Sequence, residues 1–219
     1  MHASPGLRER KKQQTRQLIA DTARRLFAER GFEGVPVAEV ARRADVSEAT
    51  VFNYFPTKED LFYSGLEEFE EKLLAAVRDR KPGMSVLAAF RDFMLVERGV
   101  FDMKAAGGDD EATERVRTIT RVITESPALL ARERQVFAEY SSSLAALIAE
   151  ETGAATGDVL PAAAANALIG VHRSLIDYVR ERTMAGARAS QISRGVRAQA
   201  KKAFAQLEEG LADYAVREP

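Results

Sequence analysis

The chain of 219 residues contains no cysteine. Disulfide frameworks and thiol nucleophiles are therefore excluded. Histidine is nearly absent, with only His2 and His172, too few for a dedicated imidazole metal site. No window approaches the ~18 consecutive apolar residues of a membrane span, and residues 1–17 lack the apolar core of a signal peptide. The formal net charge of −1 rules out a generally basic, nonspecific nucleic-acid binder. Enzyme signatures are missing too: no His–carboxylate constellation, no phosphate-cradling GxxxxGK, no GxGxxG after a strand. These absences predict a cytoplasmic protein with no catalytic residues, no metal, no cofactor and no membrane partner.

What is present is helical. The hydrophobic content of 46% is ordinary for a globular chain, and proline and glycine punctuate long periodic stretches. Lys81-Pro82-Gly83 separates a helix over 57–80 from one over 85–104. Gly107-Gly108-Asp109-Asp110 opens a helix over 111–124, and Ser126-Pro127 caps one over 127–151. After a polar loop, two long helices are expected over 159–185 and 190–216. With a first helix over 10–30 and two short ones after it, the expectation is an all-α fold of about nine helices. Its anticipated division is a helix-turn-helix domain with a basic arm over 1–60, and a ligand-binding and dimerisation domain over 61–219.

The stretch 37–60, VAEVARRADVSEATVFNYFPTKED, is the most informative. Val37, Val40, Ala41 and Ala44 recur at helical spacing. Asp45 stands in the turn, where left-handed geometry is needed and Asp tolerates it better than most side chains. Ser47 supplies an N-cap hydroxyl. Val51, Phe52 and Phe55 are expected inward, leaving Thr50, Asn53 and Tyr54 outward. Pro56 ends this helix, and Thr57 with Asp60 forms a capping box for the next. Two helices so short need a third behind them. Leu18, Ile19, Thr22, Ala23, Leu26 and Phe27 provide its apolar stripe, closed by Gly31 with Phe32 returning. A small polar face set on such a unit is suited to the major groove of DNA. Residues 1–16 add Arg8, Arg10, Lys11, Lys12 and Arg16 against Glu9 alone, a net of +4. They read as an arm able to follow a phosphate backbone, or as a solubilising tail.

The run TRQLIADTARRLFAERGFEGVPVAEVARRADVSEATVFNYFPTKEDLF, residues 15–62, resembles the DNA-binding domain of the TetR family of transcriptional regulators. The wording VFNYFPTKEDL is also similar to a subgroup of actinobacterial regulators that includes those near mycofactocin clusters. The resemblance implies a homodimeric, ligand-responsive repressor that binds double-stranded DNA at an inverted repeat. It implies that Ser47 and Thr50 lie at the head of the recognition helix, where Thr50 touches phosphate or a base edge. Asn53 takes a base-facing position, its amide able to bond adenine bidentately. Tyr54 and Lys58 match backbone-contacting positions, and Thr15, Arg16, Arg42 and Arg43 flank them. Two departures stand out: Val35-Pro36 replaces a frequent hydroxyl residue, and Phe52 replaces a frequent Tyr.

The last two helices are the dimerisation candidates, through Ala164, Leu168, Val171 and Leu175 on one and Val196, Ala203, Leu207 and Leu211 on the other. The same faces also fit packing inside one chain. The choice of a homodimer follows from DNA reading: one short helix contacts too few bases, whereas two placed ~34 Å apart read two half-sites. For an unknown small-molecule effector, Phe93, Met94, Phe101, Phe137 and Tyr140 offer apolar walls, and Arg121, Asn166, His172 and Tyr140 polar anchors. Taken singly, those aromatics are ordinary core residues. An enzyme and a helical adaptor are the competing classes. The first lacks a nucleophile or acid–base set, and the second would not show the steep salt dependence of DNA binding.

Overall fold

The structure is a computed structural model that describes residues 6–96 and 108–217. Among the described residues there are ten helices: α1 (Leu7–Arg30), α2 (Val37–Arg43), α3 (Glu48–Tyr54), α4 (Lys58–Phe62), α5 (Leu66–Arg78), α6 (Val86–Val96), α7 (Asp109–Thr124), α8 (Pro127–Thr152), α9 (Leu160–Met184) and α10 (Ala189–Leu211). Extended pairing among them is limited to one isolated antiparallel bridge, Ser85 with Val216. The fold is all-α, as the periodicity predicts. Phe101 and the end of the 85–104 helix lie outside the described residues. The chain forms two compact units. One comprises Met1–Gly65 with Arg121–Arg132, the other Leu66–Thr120 with Glu133–Pro219.

In the first unit, Ile19, Ala20, Ala23, Leu26 and Phe27 of α1 are buried against Val40, Ala41, Val51, Phe55 and Leu61. Leu18, expected in that stripe, is 52% exposed. It precedes Ile19 by about 100° of helix rotation, on the side away from Ala23 and Phe27. Gly31 closes α1 at φ 75°, and Phe32 folds back into the core. The helix begins at Leu7, so Arg8, Arg10, Lys11 and Lys12 stand on exposed helical turns and not on an extended arm.

The single helix expected over 57–80 is broken at Tyr63–Gly65. The Ser64 carbonyl accepts a hydrogen bond from the Arg16 guanidinium at 3.1 Å, and Gly65 is a poor helix former. This core also includes Val122, Ile123 and Leu129 from the α7–α8 turn. Ser126 is buried there; its hydroxyl accepts from the Leu129 amide at 3.3 Å and donates to Glu33 at 2.8 Å. Arg132 Nε donates to Asp60 at 2.9 Å.

In the second unit, α5, α6, α8, α9 and α10 share one core in which Phe90 meets Phe204 at 6.1 Å between ring centroids. Helices α9 and α10 approach closely at Gly195. A methyl group there would lie 2.1 Å from the Tyr178 hydroxyl, so any larger residue must displace that ring. The N-terminus of α10 is capped from α7: Asp109 accepts from the Ser190 amide and hydroxyl, both at 2.8 Å. These bonds hold the Asp109 carboxyl below its ordinary pKa.

Helix α10 stops at Leu211, short of the expected 216. The tail beyond it joins the α5–α6 loop, with Gly83 N donating to Arg217 O at 2.8 Å and Arg217 N to Met84 O at 3.2 Å. Arg80 anchors the junction. Its buried guanidinium reaches Glu151 at 2.7 Å, Val77 O at 2.6 Å, and Met84 O and Ala215 O each at 3.0 Å. A buried cation is tolerated only with such complete partners.

Candidate nucleic-acid interface

Helices α2 and α3 meet through a tight turn. Ala44 N donates to Val40 O at 2.9 Å, Asp45 takes the left-handed conformation at φ 55°, and Val46 N returns to Ala41 O at 3.0 Å. Pro36 is the N-cap of α2 and offers no side-chain cap, consistent with the hydroxyl missing there. Ser47 caps α3: its hydroxyl accepts from the Thr50 amide at 3.0 Å and lies 2.8 Å from the Thr50 hydroxyl. Thr57 and Asp60 form the reciprocal capping box at the head of α4.

Val51 and Phe55 turn into the core, being 1% and 2% exposed. Asn53 is exposed on the opposite side of α3, and Thr50 and Tyr54 are half-buried at its edge. Phe52 does not turn inward. It is 45% exposed, because the core needs only the i, i+4 pair Val51–Phe55 and Phe52 lies off that line.

The flanking cations are held differently. Arg16 packs its guanidinium 5.0 Å from the centroid of Phe55, while the Thr15 hydroxyl donates back to Lys11 O at 3.0 Å. Lys58 lies over Phe32 at 4.3 Å and near Phe27 at 5.9 Å. Burial lowers its pKa, with Glu33 and Glu59 opposing the shift. Arg42 and Arg43 are exposed, and Arg42 approaches Glu39 at 3.7 Å. All nine residues expected to meet DNA therefore belong to one unit.

The residues expected around an effector separate into three groups. Phe93, Phe137, Tyr140 and His172 come together in the second unit, joined by Phe69, which the sequence reading missed. Phe69 lies 5.4 Å from Phe93, 5.8 Å from Tyr140 and 5.1 Å from His172, centroid to centroid, and Phe137 is 5.6 Å from His172. The signal for Phe69 was available, since it continues the amphipathic face of Leu66, Leu73 and Val77. Met94 is buried in the same core, and the Tyr140 hydroxyl donates to Leu66 O at 2.8 Å. His172 is fully buried, which lowers its pKa to about 4. Arg121 and Asn166 have other surroundings. Arg121 belongs to the first unit and donates to Ala28 O at 3.3 Å, and Asn166 is exposed on α9.

The expected interface residues are also divided. Ala164, Leu168, Leu175 and Val196 are buried within the single chain. There they are core positions, where α9 and α10 pack on each other. Val171, Leu207 and Leu211 are half-buried against the same core, and Ala203 is half-buried. The outward side of α9 presents Ala163, Asn166, Gly170 and Ser174.

Comparison with known proteins agrees with this geometry. Residues 19–64 match the model of bacterial regulatory proteins of the tetR family, and residues 94–212 match the MftR C-terminal domain. The HTH-type transcriptional regulator TcmR of Streptomyces glaucescens is 31% identical over 150 residues, covering 68% of this chain and 65% of that protein. The chain thus spans just under two thirds of that relative's length. The regulator MftR of Mycobacterium tuberculosis is 27% identical over 176 residues, covering 77% of this chain and 81% of the relative. Among solved structures, Salmonella enterica GusR superposes with a TM-score of 0.53 at 21% identity, over 90% of this chain and 95% of that one, a likeness of fold. With the C-terminal match alone spanning more than half of its length, the chain belongs to the TetR family: transcriptional regulators that bind DNA through a helix-turn-helix, and not enzymes.

Proposed function

We propose that the chain works in the cytoplasm as a homodimeric repressor, binding an inverted-repeat operator and leaving it when a small-molecule effector binds. The observation that carries this reading is the α2–α3 geometry: a left-handed Asp45 turn, a Ser47 cap, and Asn53 outward from a helix whose other side is buried. DNA reading is assigned to residues 1–60, effector binding and pairing to 61–219. Within the latter, the cluster of Phe69, Phe93, Phe137, Tyr140 and His172 is the candidate effector site, and its aromatic side chains favour an apolar molecule that displaces their mutual contacts. The outward side of α9, rich in small residues, is the surface that would admit a second subunit closely. An effector shifts the equilibrium only by its differential affinity for the two conformers, typically ~1–3 kcal/mol of coupling.

Selection of bound fragments from random duplexes tests the reading. Recovery of an inverted repeat with half-site centres about one helical turn, or a multiple of it, apart is the expected result. Recovery of a single asymmetric site would overturn the two-fold arrangement, and recovery of no preferred sequence would overturn the whole.

A further inference from the structure

The exposed surface of α3 has two chemically distinct sides. Successive residues are about 100° apart on a helix. With Val51 and Phe55 facing the core, Asn53 points directly away from it, and Thr50 lies to one side of Asn53. Ala49 and Phe52, three residues apart and so neighbours on the helix surface, lie to the other side. Both are exposed. The face thus carries a polar strip, Thr50–Asn53, beside an apolar strip, Ala49–Phe52. No hydroxyl is available on the apolar strip, since the ring at 52 is Phe. A phosphate oxygen finds no donor there.

One chemical group in the major groove is complementary to such a strip. It is the 5-methyl of thymine, the apolar mark that distinguishes T·A from the other base pairs. We infer that Ala49 and Phe52 form a thymine-reading strip, with Phe52 covering the 5-methyl group of a thymine at or next to the base pair that Asn53 reads. This rests on α3 being the helix that enters the major groove. Burial of one methyl group is worth about a fourfold change in affinity per half-site, and about fifteenfold for a symmetric pair. The contribution is therefore to specificity more than to overall affinity.

The test replaces thymine by uracil, which removes only that methyl group, one symmetric position at a time in an operator obtained by selection. Wild-type protein should lose about fifteenfold at one position and little elsewhere. Phe52→Ala should bind the thymine operator more weakly and be indifferent to uracil at that position. Phe52→Leu, which keeps an apolar side chain, should retain part of the preference. Since Phe52 lies outside the core, its variants should keep the wild-type helical signal and melting temperature. A flat uracil scan with the wild type overturns the inference, as does an unchanged thymine-to-uracil ratio in Phe52→Ala. Both results leave the regulator reading intact. Failure to select any operator would instead defeat that reading, and this inference with it.

Discussion

His172 is a base kept from water by the rings of Phe69 and Phe137. Its folded pKa of about 4 lies below the ordinary 6.5, so the unfolded chain takes up a proton first as pH falls. Its contribution is complete above pH 6.5 and is lost progressively down to about pH 4, a loss of roughly 3 kcal/mol. Urea unfolding between pH 4 and 7 should show this slope in the wild type and a shallower one in His172→Phe. Equal slopes would remove His172 from the acid limb. On the DNA side, Asn53→Ala should cost about 1–3 kcal/mol per half-site and relax specificity at one base pair. Lys58→Ala should weaken all sequences alike and flatten the salt slope by about one unit per half-site. To reach a phosphate, the Lys58 ammonium leaves the Phe32 face, giving up about 0.5–1 kcal/mol of cation–π attraction. Binding curves identical to wild type for both variants would place the DNA elsewhere.

At the scale of elements, what the sequence predicted well was local. The Ser47 cap, the Thr57–Asp60 capping box and the left-handed Asp45 each depend on residues within three positions, and each formed as expected. What escaped depended on distant partners. The break after α4 is stabilised by Arg16, 48 residues earlier. The α7–α8 turn joins the first core through contacts such as Ser126 with Glu33, 93 residues apart. Leu18 and Phe52 are apolar and adjoin true core positions, yet each lies one residue's rotation off the buried line. On α9, alanine occurs on both the inward and outward sides, so composition could not say which side the chain itself covers. The α9–α10 contact makes a clean test. Gly195→Ala should overpack against Tyr178 at a cost of about 1–3 kcal/mol, offset by the roughly 1 kcal/mol that alanine gains over glycine inside a helix. In a Tyr178→Leu background the same change should cost less. An unchanged cost in the double-mutant cycle would separate the two residues energetically.

For the whole molecule, the central quantity is association. Gly170 lies on the outward side of α9, and a Cβ built there meets nothing within 4 Å in the single chain. Gly170→Glu should leave the subunit's thermal stability unchanged or slightly raised, since glutamate is the better helix former by about 0.5–1 kcal/mol. In sedimentation equilibrium it should shift dimer to monomer and weaken operator binding with it. A variant that stays dimeric would move the interface off this side of α9.

Val122, Ile123 and Leu129, inserted late in the chain, complete the apolar centre behind the reading helices. Grafting offers the plainest corollary. Chimaeras that exchange reading heads between relatives at residue 65 would seat the transplanted head on the recipient's own 121–132, a mismatched packing partner, while those that carry 121–132 along would keep the core whole. In natural recombination, too, an intact reading head would have to bring that distant dozen residues with it.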